Sequence, residues 1–84
     1  MRSITKQQIT SIEILGKTIK SERNRRGLTQ TELGNITGVK QKTISSAENG
    51  SSGLKLDTLF RILAGLNMSI SLNVHEKEKT TGKW

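Results

Sequence analysis

The 84-residue chain has no cysteine, which excludes a disulfide framework and a thiolate metal site alike. Its one histidine, His75, has no partners with which to form another kind of metal site. No apolar run approaches the length needed to span a bilayer, and none follows Arg2 and Lys6 as an export signal would require. A cytoplasmic protein without a membrane partner is the expectation. Catalytic sets are missing as well: His75 lies at the edge of a polar tail, Glu76 and Glu78 read as solvated, and no glycine-rich loop follows a strand. Binding without a cofactor, rather than catalysis, is what remains. Acid is scarce, with seven Asp and Glu against fourteen Lys and Arg, a formal charge of +7. Such a surplus on so small a body favours polyanions, although plain solubility would also be served by it. The length fits one domain near the lower limit at which a single core suffices, so oligomerisation is the available substitute for covalent staples.

What is present concentrates between Gly27 and Gly50. Residues 1–10 are polar and without a strong period, and read as a flexible arm. From Ser11 onward, Ile12, Leu15 and Ile19 mark one stripe of a helix. Lys17, Lys20, Arg23, Arg25 and Arg26 crowd its other faces and last turn. Cations there suit the negative end of the helix dipole and equally suit phosphates, and both readings stay open. Gly27 closes this helix. Thr29 with Glu32 three residues later forms a capping box, and Leu28 with Leu33 a hydrophobic staple, so a second helix is predicted from Gln30 to Thr37, stopped by Gly38. Val39 turns inward, and two helices so closely joined must cross steeply.

A third helix is predicted over about Gln41 to Asn49. At 100° per residue, Ile44 and Ala47 point one way with Glu48 beside them, while Lys42, Ser45, Ser46 and Asn49 point the other, Gln41 at the edge of their arc. That polar stripe holds no acid and suits base edges in a major groove. A fourth helix, near Leu56 to Leu66, carries Leu56, Leu59, Phe60, Leu63 and Leu66 on a wide apolar face, with Ile62 at its flank. Gly65 costs it about 1 kcal/mol relative to alanine and favours an early end.

Beyond Asn67, Met68, Ile70, Leu72 and Val74 alternate with Ser69, Ser71 and Asn73, the pattern of a half-buried strand. A lone strand needs a partner for its backbone groups, and a second copy supplies one across a two-fold axis. A fifth helix over the same residues is the alternative. The organisation is therefore an arm at 1–10, a helix-turn-helix domain at 11–67, a dimerisation strand at 68–74 and a disordered tail at 75–84. The only tryptophan, Trp84, is a plausible anchor for a pocket on another protein.

Leu15-Gly16 with Ile19 and Arg23, Gly27-Leu28-Thr29-Gln30, Glu32-Leu33, Gly38-Val39, Ile44-Ser45 and Glu48-Asn49-Gly50 together resemble the lambda-repressor and Cro-like, or XRE, helix-turn-helix family over about residues 12–66. The resemblance implies a compact, mainly α, four-helix domain. It also implies that Gln30 holds a phosphate and that Gln41, Lys42 and Ser46 face bases. The Ser-Ile-Ser-Leu strand, polar tail and terminal Trp look more narrowly like HipB-type antitoxins, as do Lys40-Gln41 and Thr43-Ile44-Ser45. That likeness implies repression of the protein's own operon in a bacterial nucleoid, an intermolecular strand lid, and a HipA-like serine/threonine kinase toxin contacted by Trp84. Three departures stand out. Ala47 and Gly34 are smaller than the usual residues and suggest closer helix approach, and Lys55 replaces a Ser or Thr cap worth about 1 kcal/mol.

The expected mechanism is a homodimer that presents two copies of the third helix about 34 Å apart to an inverted repeat in double-stranded operator DNA. Gln41 is the candidate for a bidentate contact to adenine and Lys42 for one to guanine. Lys40, Ser45 and Ser46 join them as base-contacting candidates. Arg23, Arg26, Gln30, Thr43, Asn49 and Lys55 are the backbone-contacting candidates. A free-standing XRE-type regulator without a toxin, and an RNA-binding or scaffolding protein, are the other function classes the sequence allows.

Overall fold

Four helices account for the ordered body of the computed structural model, which describes residues 6–76: α1 (Ile12–Arg25), α2 (Gln30–Thr37), α3 (Gln41–Glu48) and α4 (Leu56–Gly65). Their starts follow local chemistry. The Ser11 hydroxyl accepts from the Ile14 amide at 3.1 Å and begins α1. Thr29 and Glu32 form the full capping box of α2, with Oγ1 accepting from the Glu32 amide at 3.0 Å and Glu32 Oε1 accepting from the Thr29 amide at 2.9 Å. Lys40 and Lys55 precede α3 and α4 without a side-chain cap.

The helices end alike. Each is followed by a residue with positive φ, Gly27, Gly38, Gly50 and Asn67, and the next amide folds back onto a carbonyl in the last turn. After α4 this gives Asn67 N to Ala64 O at 3.0 Å and Met68 N to Leu63 O at 2.8 Å. Asparagine takes the position because its short polar side chain tolerates the left-handed region better than other L residues.

Ile19, Leu33, Val39, Ile44, Ala47, Leu59, Ile62, Leu63 and Leu66 form one core, with Leu15, Leu28, Leu54 and Met68 packed on its edge. α3 lies against both α1 and α2, and α4 closes over α2. Two glycines permit these approaches. A Cβ on Gly16 would stand 2.5 Å from the Ala47 carbonyl oxygen, and one on Gly34 would stand 2.6 Å from that of Val39. The closer approach expected at Gly34 is therefore to the turn that launches α3.

Two expectations need correction. The buried side of α4 is Leu59, Ile62 and Leu63, with Ile62 fully enclosed, whereas Leu56 and Phe60 face outward at 63% and 50% exposure. The helix is rotated toward its supposed flank where it packs on α2, and the Leu56–Phe60 edge is left largely uncovered by the described residues. Residues 68–76 form no helix, so the five-helix alternative fails over 68–74. Met68 packs on the core, while Ile70, Leu72 and Val74 are exposed. No strand ladder occurs among the described residues; a strand whose partner is a second copy has none to make within one chain.

Candidate nucleic-acid interface

α3 packs on α1 and α2 and leaves one long side open. Gln41, Lys42, Ser46 and Asn49 are exposed, Thr43 and Ser45 half-buried, and Ile44, Ala47 and Glu48 buried. Lys40 stands exposed at the helix start. The helical wheel thus gave the correct side of α3. Its outer face continues into a shallow trough formed by Lys42, Thr43, Ser46, Ser51, Ser52 and Lys55, with Gly53, Leu54 and Thr58 completing the wall. Donors and two ammonium groups line this surface, and no carboxylate does.

Behind the open face runs a continuous hydrogen-bonded chain. Arg23, on α1, donates from Nε to Glu48 Oε2 at 2.6 Å and from Nη2 to Glu48 Oε1 at 2.9 Å. Its Nη1 donates to the Leu28 carbonyl at 2.7 Å, so one guanidinium ties α1, the loop before α2, and α3. Glu48 Oε1 also accepts from Gln30 Nε2 at 3.0 Å. Gln30 Oε1 in turn accepts from Gln41 Nε2 at 2.6 Å. Burial pushes the Glu48 carboxyl up, but hydrogen bonds from Arg23 and Gln30 and the charges of Arg23 and Lys20 outweigh it, and the net direction is down. The carboxylate is ionised and the Arg23 guanidinium is held more firmly protonated than usual, chiefly by its hydrogen bonds to Glu48.

A short helix held rigidly from behind, with a carboxylate-free polar side in front, is the geometry of a recognition helix. A helix-turn-helix family model matches residues 19–73. The chain belongs to the XRE-type helix-turn-helix family. Within it the chain is HipB-like: it is 41% identical over 66 residues to Antitoxin HipB of Escherichia coli strain K12, covering 79% of this chain and 75% of that protein. An uncharacterised helix-turn-helix transcriptional regulator of Haemophilus influenzae is 34% identical over 56 residues, 67% of this chain and 57% of the relative. Among solved structures, a chain of a HipA-HipB-O2-O3 complex superposes with a TM-score of 0.76 at 38% identity, covering 83% of this chain and 99% of that one. The restriction-modification controller protein C.AhdI of Aeromonas hydrophila, at 19% identity and a TM-score of 0.64 over 69% of this chain and 88% of its own, shares the fold.

In this helix-turn-helix frame the basic cluster divides. Arg23 is 7% exposed and bound to Glu48, so it is not available to a phosphate, contrary to its placement among the backbone-contacting candidates. Arg25 and Arg26 both engage Glu22, with Arg25 Nη2 and Arg26 Nε each 2.7 Å from Glu22 Oε2. Hydrogen bonds from Arg25 come first among the causes that lower the Glu22 carboxyl to about 2, against a smaller opposing effect of burial. These pairs lie at the surface, where a competing phosphate can replace the carboxylate at small cost. Gln30 is half-buried, and Lys55 is exposed beside the trough. Trp84 lies outside the described residues.

Glu48 was not among the expected site residues. Its signal was present, because a carboxylate on the apolar side of a helical wheel requires a buried cation or donor set.

Proposed function

We propose that the protein is a sequence-specific double-stranded-DNA-binding repressor, acting as a homodimer on its own operon and as the antitoxin of a HipA-like serine/threonine kinase toxin. It works in the cytoplasm, on the nucleoid. The observation that carries this reading is the acid-free outer side of α3, with Gln41 anchored through Gln30 to the buried Arg23–Glu48 pair. In this reading Gln41 and Lys42 contact bases, with Lys40, Ser45 and Ser46 as the further base-contacting residues. Gln30, Arg26, Thr43, Asn49 and Lys55 hold phosphates. The uncapped amides at the start of α3 add to that anion preference. The relatives support the partner assignment, since one of the similar solved structures is a HipA-HipB-O2-O3 complex. Trp84 is the proposed toxin anchor.

Binding of duplexes selected by the protein from a randomised pool tests the core of the proposal. Lys42→Ala costs about 1–3 kcal/mol on the selected duplex and relaxes preference at particular positions, while Arg26→Ala weakens selected and random duplexes alike and flattens the salt dependence. Equal losses on both duplexes for Lys42→Ala overturn the recognition-helix assignment. Capture of a co-expressed HipA-like kinase, with and without Trp84→Ala, tests the toxin contact.

A further inference from the structure

We propose that Glu48, buried and unable to touch DNA, fixes the order in which Gln41 presents its donor and acceptor to a base pair. The inference rests on the reading of Gln41 as a base contact and extends it to a positioning residue one layer inward. A glutamine amide has two faces related by a flip, one of which puts NH2 where the other puts oxygen, and nothing in an isolated Gln41 selects between them. The chain behind α3 selects. An ionised carboxylate can only accept, so Glu48 Oε1 forces Gln30 to turn its NH2 inward, at 3.0 Å. Gln30 Oε1 must then face outward, and it forces Gln41 to turn its own NH2 toward Gln30, at 2.6 Å. A flip of either amide would set oxygen against oxygen. Arg23 completes the lock by holding both carboxylate oxygens in place, at 2.6 and 2.9 Å.

Gln41 is left with its carbonyl oxygen and one N–H, in one order. The major-groove edges of A·T and T·A carry related groups in opposite order, so a reader locked in one order separates them, whereas a freely flipping amide does so poorly. The buried ion pair is thus connected to specificity as well as to stability.

The test uses the full chain and duplexes selected by the wild-type protein from a randomised pool. Gln41→Ala identifies the position that Gln41 reads, as the one where discrimination falls by about tenfold. Glu48→Gln, whose amide can donate as well as accept, is expected to lower the A·T over T·A preference at that same position by about tenfold while leaving ratios at other positions unchanged. A general loss of folded protein would scale all duplexes together and leave that ratio intact. Should Glu48→Gln fail to fold because Arg23 is left unpaired, the double variant Arg23→Met with Glu48→Gln releases the lock without a buried charge and is read in its place. A folded variant that keeps the full preference overturns the inference while the Gln41→Ala result stands. If Gln41→Ala changes no position, the base-contact reading itself fails and takes the inference with it.

Discussion

Arg23 and Glu48 show how one pair of side chains serves packing and function together. The two residues are 7% and 6% exposed and are bound to each other through both carboxylate oxygens. Breaking such a pair by removing one member leaves a buried charge without compensation, so Glu48→Ala is expected to destabilise the fold by about 3–5 kcal/mol near neutral pH. The sign of the pH dependence follows from the lowered Glu48 carboxyl. Its stabilisation is complete above the ordinary value of 4.5 and is lost as pH falls through the depressed folded value. Urea denaturation of wild type and Glu48→Ala at pH 7 and again near the acid limit checks this, because protonated Glu48 leaves Arg23 as unpaired as the mutation does. A stability gap that stays constant with pH would mean that the carboxylate is not ionised against Arg23. Glu22 is also depressed, to about 2, but it lies at the surface and its contribution to acid sensitivity is small.

At the scale of elements, sequence and structure agree best where a local rule decides. The capping box at Thr29 and Glu32, the stop at Gly38 and the polar side of α3 all depend on residues within one or two turns, and each was legible. Two things were not. The rotation of α4 depends on which neighbour covers it, and periodicity cannot choose between Ile62 and Phe60 as the inward residue. The binding role of Arg23 was open because its partner is 25 positions away. The rotation has a measurable consequence. Ile62→Ala, at a fully enclosed site, should cost about 2–5 kcal/mol. Phe60→Ser, at a half-exposed one, should leave the stability of the dilute monomer nearly unchanged, and the reverse ranking in thermal denaturation would refute the observed orientation. Gly16 gives a second case in which packing overrides propensity. Alanine there would favour the helix by about 1 kcal/mol in isolation, yet its Cβ would meet the Ala47 and Glu48 carbonyl oxygens at 2.5 and 2.6 Å. Gly16→Ala is therefore expected to destabilise by about 1–3 kcal/mol, and a rise in melting temperature would show that α1 and α3 can separate freely.

For the whole molecule the unresolved demand is burial. Leu56, Phe60 and Ile36 are exposed at 63%, 50% and 56%, and Leu72 and Val74 at 92% and 98%. In the proposed dimer these exposed apolar side chains supply the association surface. The alternation of Met68, Ile70, Leu72 and Val74 turns one side of the segment apolar, and among the described residues Met68 packs on the core while the other three are exposed. Pairing the segment with its copy would satisfy the backbone groups of both strands and lay the alternating apolar side chains over two domains at once. The same two-fold axis would hold two α3 helices about one turn of B-DNA apart, so association and operator binding would be coupled. Leu72→Ser is accordingly expected to shift the sedimenting species from dimer toward monomer. It should weaken binding to an inverted repeat far more than to a single half-site, because the half-site contact needs only one α3. An undiminished dimer in Leu72→Ser would move the seam away from residues 68–74 and toward the Leu56–Phe60 edge of α4, where Phe60→Ser should then dissociate it.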